Sequence, residues 1–284
     1  MRRSILFALL GALAAGAPVS SPAGAAPQKT PDKTPPAPKP PAAAAAQPAP
    51  PPDPREVEQG RTYDACMRTV ATDPSAAFEE AGGWRARGGG FPARHCAALA
   101  LVRLKQYRDG AERLEALAQD MARAGSPTPL VTEVLAQGGR AWLEAGSTER
   151  AYAVETTGLK LDPRNGELLV DRAVTLATAA NYWEAIDDLN HALEAEPRRI
   201  EAMVLRATAY RYVGSLELAE EDVARALKLD PQQPDALLER GILKRLNNDP
   251  AGARADWLAL LRASPESPAA EAARDNLAAL DVKQ

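Results

Sequence analysis

Residues 158–163 read GLKLDP, and related segments return as ALEAEP at 192–197, ALKLDP at 226–231 and LLRASP at 260–265. The prolines that close these segments are spaced 34 residues apart, and a small residue stands 12 and again 24 positions before each of them. These small residues are Ala151, Ala185, Ala219 and Ala253, preceded by Gly139, Ala173, Ala207 and Gly241. Small side chains let two helices approach closely, and proline ends a helix. The period therefore predicts stacked hairpins of two short helices each.

The pattern resembles the tetratricopeptide repeat, which runs W-x2-L-G-x2-Y, then A-x3-F, then P over 34 residues. Tyr210 fills the tyrosine position and Trp142 substitutes for it, whereas Leu176 and Lys244 depart from it. The phenylalanine position holds Glu155, Leu189, Val223 and Trp257, and the tryptophan position holds Leu135, Leu169, Met203 and Leu237. The resemblance implies an all-α, right-handed α-solenoid of about six helix-turn-helix repeats with a C-terminal capping helix. It does not identify the ligand.

The first 54 residues differ in character from the rest. A basic head, an apolar stretch and the small residues Ala23-Gly24-Ala25 predict a signal peptide over 1–25 that directs export to the periplasm. Cleavage after Ala25 and retention as a membrane anchor both remain open. Residues 26–54 hold 12 of the 25 prolines and are predicted to form a disordered Pro/Ala-rich linker.

Residues 55–284 are predicted to form one solenoid domain. Its regular repeats span about 132–165, 166–199, 200–233 and 234–267, after two degenerate hairpins over 55–90 and 91–126. The expected front helices cover 55–72, 75–87, 96–105 and 107–124, with the glycine triplet 88–90 as a stop between the hairpins. Ser267-Pro268 opens a capping helix over 268–281.

Composition and motifs argue against several functions. The formal charge of −4 comes without a basic stripe, so no nucleic-acid partner is expected. No helix combines a cationic face with an apolar one, so membrane contact is expected only through an uncleaved signal segment. The chain lacks H-E-x-x-H, C-x-x-C and G-x-S-x-G motifs, and His191 is expected to be solvated. The sequence predicts no enzyme, no metal and no cofactor.

Two further sets of residues carry structural predictions. In an exported chain, Cys66 and Cys96 are predicted to form a disulfide that faces the groove from neighbouring hairpins, with a pair of free thiols as the alternative. Arginines and aspartates also recur every 34 residues and are predicted to pair within or between hairpins, or else to remain solvated. They are Arg172, Arg206 and Arg240, with Asp188, Asp222 and Asp256.

The resemblance implies that the first helix of each repeat lines a concave groove. Counting from the small residue of each first helix, the next residue and those four or five further on are predicted to face this groove. The predicted partner-binding residues are Arg140, Glu144, Val174, Thr178, Thr208, Arg211, Tyr212, Ile242, Arg245 and Leu246. They favour an acidic or carboxylate-ended peptide with an apolar anchor, because arginine grips a carboxylate with two parallel hydrogen bonds. The alternative is that they serve only packing between repeats.

These observations favour a non-catalytic scaffold or adaptor of the bacterial envelope that binds a protein or peptide of unknown identity in its groove. A monomer is expected. The alternative is a structural or self-associating envelope spacer tethered by its proline-rich linker.

Overall fold

The computed structural model describes residues 53–281. The predicted signal peptide and the linker up to residue 52 lie outside this range. Within it the chain forms thirteen α-helices and no β-strand, which confirms the all-α prediction. The helices are α1 (Pro54–Thr72), α2 (Pro74–Ala86), α3 (Gly90–Arg103), α4 (Tyr107–Arg123), α5 (Thr128–Glu144), α6 (Thr148–Leu161), α7 (Gly166–Thr178), α8 (Tyr182–Ala195), α9 (Ile200–Tyr212), α10 (Leu216–Leu229), α11 (Pro234–Leu246), α12 (Pro250–Ala263) and α13 (Pro268–Asp281).

The first twelve helices pack as six consecutive hairpins, from α1–α2 to α11–α12, and α13 closes the stack against α11 and α12. We call the first helix of each hairpin its A helix and the second its B helix. With the exception of α3 and α5, neighbouring A helices approach each other more closely than neighbouring B helices do, so the stack curves with its A helices on the inner side. Each hairpin buries its apolar faces only against its neighbours, as expected of a solenoid. None of the helices between Asp53 and Asp281 is long and apolar enough to cross a membrane.

The turn between the A and B helices requires a left-handed backbone at one position. In the four regular hairpins this position holds Gly146, Ala180, Gly214 and Asn248, again 34 residues apart. Their φ angles are 73°, 61°, 80° and 59°. Glycine adopts this conformation without steric cost, whereas alanine does not. Ala180 is therefore strained by this left-handed backbone conformation, which Gly146 and Gly214 adopt without steric cost.

The small residue of each A helix is matched to the size of a residue on its B helix. A Cβ atom added to Gly139 would lie 2.6 Å from Glu155 Cγ, and one added to Gly241 would lie 2.7 Å from Trp257 Cδ1. The other two regular hairpins have Ala173 with Leu189 and Ala207 with Val223 at the same two positions. Glycine thus stands where the B helix presents Glu155 or Trp257, the two residues that depart most from an aliphatic side chain.

The front hairpins differ from the prediction at their junction. Gly88, with a φ of 91°, follows the end of α2, but Gly90 is already the first residue of α3. The prediction that α3 begins at Cys96 is wrong by six residues, because the glycine triplet is followed at once by a helix. The α3 helix then runs through Cys96 and packs against α1, α2 and α4.

Candidate functional site

The inner surface formed by the A helices is the candidate site, and part of the predicted contact set is buried beneath it. Val174, Thr208 and Ile242, each one residue after the small residue of its A helix, are only 3–4% exposed. The Thr208 hydroxyl contacts the carboxylate of Glu239 on the next A helix, at 3.3 Å. The prediction that these three residues face the groove is wrong. That position packs against the neighbouring hairpin, because consecutive A helices are in contact.

Two of the predicted arginines are engaged in ion pairs inside the array. Arg211 Nε donates to Glu239 Oε1 at 2.6 Å, and both side chains are almost fully buried. Arg140 Nη1 donates to Asp171 Oδ2 at 2.7 Å and to Glu167 Oε1 at 3.1 Å. Both arginines link one A helix to the next. The prediction that they grip a partner is corrected, since their hydrogen-bonding groups already serve internal carboxylates.

The remaining predicted residues lie at one edge of the inner surface. Glu144, Thr178, Tyr212 and Leu246 are each the last residue of an A helix, 34 residues apart, and all keep exposed or half-exposed surface. Leu246 is 41% exposed. We call these four residues the A-helix edge. It is the part of the predicted contact set that a partner could still reach.

Arg245 stands next to this edge in an unusual electrostatic position. Within residues 53–281 it is half-buried and forms no ion pair, although the pairs of Arg240 and Lys244 with Asp256 are close by in sequence. Burial lowers the pKa of Arg245, and the positive charge of Arg211 lowers it further. A partly desolvated cation beside a second cation is a favourable site for an incoming carboxylate.

Aromatic rings lie beside this pair of arginines. The Tyr182 and Tyr212 rings stack with their centroids 4.6 Å apart and their planes 3° from parallel. The Arg211 guanidinium lies 4.5 Å from the Tyr212 ring centroid, within the range of a cation–π interaction. Burial raises the pKa of Tyr182, so its hydroxyl keeps its proton. The rear half of the inner surface therefore combines flat aromatic area, an apolar tip and an unpaired cation.

The repeated arginines and aspartates pair within their own hairpins. Arg172 with Asp188 and Arg206 with Asp222 form two hydrogen bonds each, at 2.6–2.7 Å, and Arg240 with Asp256 does so at 2.9 and 2.7 Å. All three aspartates are buried.

Two of the arginines also reach the preceding B helix. Arg172 Nη1 donates to Thr156 at 3.2 Å, and Arg206 Nη1 donates to Asn190 at 2.7 Å. The ladder thus joins successive hairpins and does not form part of the exposed site.

Glu155 is a buried acid at the phenylalanine position of its repeat. The Thr175 hydroxyl donates to Glu155 Oε1 at 3.0 Å, whereas Oε2 has no hydrogen-bond partner within the described residues. Burial raises the pKa of this carboxyl well above its usual value, and the charge of Asp171 raises it further. Sequence reasoning identified the position but gave no reason to expect a buried titratable group there.

A cavity of about 540 Å³ opens on the inner surface between α1, α3 and α5, the A helices of the first three hairpins. Its walls are mainly apolar and aromatic, and Leu130 at its rim is 56% exposed. The lining residues are Gln59, Gly60, Tyr63, Phe91, Pro92, His95, Met121, Ser126, Leu130, Glu133, Val134 and Gln137. We call this cavity the front pocket.

A directional chain of hydrogen bonds runs through the front pocket. The Tyr63 hydroxyl and His95 Nδ1 are 2.7 Å apart, and His95 Nε2 and Gln137 Oε1 are 2.5 Å apart. Gln137 Nε2 then donates to Glu133 Oε1 at 2.8 Å. Burial lowers the pKa of His95, so a neutral ring accepts from Tyr63 and donates to Gln137. This group was missed from the sequence, because its members come from α1, α3 and α5, and the first two helices lie outside the 34-residue register.

The two cysteines lie behind this pocket. Cys66 and Cys96 are joined by a disulfide between α1 and α3, with their Cα atoms 6.3 Å apart. Both are buried in a small apolar cluster with Val70, Ala77 and Ala81, so the expectation that they face the groove is wrong. The side chains that face it from these helices are instead Tyr63 and His95, which line the front pocket.

Compared by sequence, the chain matches no protein-family model and shows no significant similarity to a curated protein. Its structure is similar to several solved proteins. MamA from Desulfovibrio magneticus RS-1 matches with 21% identity and a TM-score of 0.53, over 63% of this chain and 97% of that one. A tetratricopeptide repeat protein from Parabacteroides merdae matches with 20% identity and a TM-score of 0.55, over 66% and 73%.

The chain has the fold of a tetratricopeptide-repeat solenoid. A larger neighbour, the Cut9–Hcn1 hetero-tetramer of the APC/C, aligns with 77% of this tetratricopeptide solenoid and 43% of its own chain, with 14% identity and a TM-score of 0.60. Sequence identities of this size indicate a shared fold and do not identify a ligand. The function must therefore be argued from the surface of this solenoid itself.

Proposed function

We propose that this protein is a non-catalytic interaction scaffold of the bacterial envelope, and that it binds a carboxylate-bearing peptide at the A-helix edge. The observation that carries the proposal is Arg245, a half-buried arginine without an ion pair among residues 53–281. Its neighbour Arg211 already shares its charge with Glu239. A peptide carboxylate would supply the negative charge that this position lacks.

The groups around Arg245 support this choice of ligand. Leu246 offers exposed apolar surface next to the cation, and Tyr212 offers a ring held in place by stacking on Tyr182. A charge-assisted hydrogen bond contributes about 1.5–3 kcal/mol, more than neutral contacts at the same edge. The expected ligand is a peptide with an acidic side chain or a C-terminal carboxylate near an apolar residue. Export to the periplasm belongs to the same proposal and rests on the sequence of residues 1–25 alone.

A peptide library prepared in carboxylate-ended and amidated forms tests this proposal directly, because amidation removes only the terminal charge. The full chain should bind selected carboxylate forms about ten- to one-hundredfold more tightly than their amides, the ratio that such a hydrogen bond provides. Arg245→Glu should abolish this preference. Arg262→Glu is the matched control, since Arg262 is exposed on the B helix of the same hairpin.

Each result bears on the choice between scaffold and spacer. Binding that ignores the terminal charge, or that survives Arg245→Glu, would place the ligand elsewhere. A pull-down from envelope extract and light scattering then separate the alternatives. A monomer that captures one partner supports the scaffold, whereas a concentration-dependent oligomer without a partner supports a self-associating spacer.

A further inference from the structure

The front pocket lies close to the point where the described part of the chain begins. Asp53 precedes α1, and the pocket residues Gln59 and Gly60 lie in the second turn of that helix. At 1.5 Å per helical residue, Gln59 is only about 9 Å along the axis from Asp53. A segment that turns back at Asp53 would reach the pocket within a few residues.

The chemistry of the front pocket suits a proline-rich ligand. Proline-rich segments in the polyproline II conformation bind grooves lined by aromatic side chains, where the ordering cost is low because the conformation is preformed. The front pocket presents the rings of Tyr63, Phe91 and His95 together with the exposed apolar side chain of Leu130. Gln59 at its edge is exposed and can hydrogen-bond the carbonyl groups that such a segment leaves unpaired.

The segment that precedes Asp53 has the required composition. Residues 35–52 read PPAPKPPAAAAAQPAPPP, which contains nine prolines, and eight of the other nine residues are alanine or glutamine. In a polyproline II conformation these 18 residues would extend over about 56 Å, far more than the distance to the pocket. Length therefore does not limit which part of the segment could bind.

Charge is also complementary between the two parts. Residues 26–52 contain Lys29, Lys33 and Lys39 but only one acidic residue, Asp32. The front pocket carries Glu133 at its rim, and the negative charges of Asp64 and Glu133 both act on Tyr63. Attraction between Lys39 and this acidic rim would favour an approach of the segment along the inner surface.

We propose that the front pocket binds the chain's own proline-rich segment, residues 35–52, in an intramolecular contact. Because the two are covalently connected, the segment is present at an effective concentration of millimolar order, so a weak interaction suffices for occupancy. The contact would cover the apolar wall of the pocket. It would also direct the start of the chain along the inner surface of the solenoid.

Paramagnetic relaxation enhancement in the full chain tests this contact. Both native cysteines are in the disulfide, so Ala45→Cys provides a single thiol for a nitroxide label. The label should broaden the backbone amide signals of Gly60, His95 and Gln137 and leave those of α13 unchanged. Unchanged signals at the pocket would overturn the proposal.

A blocking variant with a matched control makes the test specific. Apart from the backbone of its own helix, a Cβ atom added at Gly60 or at Gly82 meets no atom within 4 Å, so both helical positions accept a side chain. Gly60→Phe fills the front pocket and should abolish the broadening, whereas Gly82→Phe on α2 should preserve it. Equal helicity in the two variants shows that folding is unaffected. Broadening that persists in Gly60→Phe would contradict the assignment.

Mixing experiments separate the intramolecular contact from binding by a second copy. Spin-labelled chain without isotope is added to isotope-labelled chain without a spin label. No broadening is expected, and broadening at the pocket would show that the segment comes from another molecule. The carboxylate-peptide experiment is independent of these outcomes, since neither Gly60→Phe nor the label touches Arg245.

Discussion

Replacing Gly241 by alanine tests whether the small residue of an A helix is matched in size to the facing residue of its B helix. Trp257 is fully buried against Gly241, and its indole Nε1 donates to the Leu238 carbonyl at 3.2 Å. A Cβ atom at position 241 would lie 2.7 Å from both Cδ1 and Cε2 of the indole, closer than such atoms approach in real proteins. The fully buried ring would therefore have to move.

The magnitude of the change follows from two costs and one gain. Overpacking of this kind costs about 1–3 kcal/mol, and displacement of the indole N–H from its acceptor adds about 1 kcal/mol. The gain in helix propensity from glycine to alanine offsets about 1 kcal/mol. We therefore expect Gly241→Ala to lower the free energy of unfolding by about 1–3 kcal/mol. Gly82→Ala, on a helix with open space around its Cβ, should instead raise it by about 0.5–1 kcal/mol.

Urea denaturation followed by far-ultraviolet circular dichroism measures both changes, with the Trp257→Leu background as the decisive comparison. In that background the hairpin would carry alanine with leucine, as Ala173 and Leu189 already do. Gly241→Ala should then raise the free energy of unfolding by about 1 kcal/mol through helix propensity alone. The coupling between the two sites should therefore reach about 2–4 kcal/mol. Equal costs of Gly241→Ala in the two backgrounds would refute the volume argument.

Three further outcomes are expected. Glu155→Gln should flatten the dependence of stability on pH, because burial raises the pKa of this carboxyl in the folded protein. Such a carboxyl stabilises the fold fully below its unfolded pKa, near 4.5, and loses that contribution as the pH rises through the folded pKa. Parallel stability curves of the wild type and the variant above pH 4.5 would contradict this. Ala180→Gly should raise the midpoint of urea unfolding by relieving about 1 kcal/mol of left-handed strain, whereas Gly214→Ala should lower it. Asp222→Ala should cost about 3 kcal/mol in the same assay by leaving Arg206 unpaired, and a loss below about 1 kcal/mol would mark the ladder as solvated.

The 34-residue period predicted the four regular hairpins because helix pairing is a local property of each repeat, and the Ser267-Pro268 pair predicted the capping helix. It also located the arginine–aspartate ladder, since both residues belong to one hairpin and recur at fixed offsets. The groove residues were harder to predict. Thr208 and Ile242 were assigned to the surface by counting along a single helix, but their burial depends on the neighbouring A helix.

The front of the solenoid was the least predictable part for a related reason. Tyr63, His95 and Gln137 meet across three helices, and the first two hairpins do not carry the small-residue and proline positions that fix the later register. Gly90 illustrates the same limit on a smaller scale. A glycine indicates the end of a helix, whereas Gly90 is followed by apolar residues and begins α3.

The disulfide determines the order in which the repeats of the solenoid unfold. Stacked repeats lose their order from the ends, because an end repeat has a neighbour on one side only. The crosslink between α1 and α3 ties the first two hairpins together covalently, whereas α13 is held by packing and by the ion pair of Arg254 with Asp281. Under mechanical force or in dilute denaturant, the array should unfold from its C-terminus, one hairpin at a time. The helices that line the front pocket should unfold last.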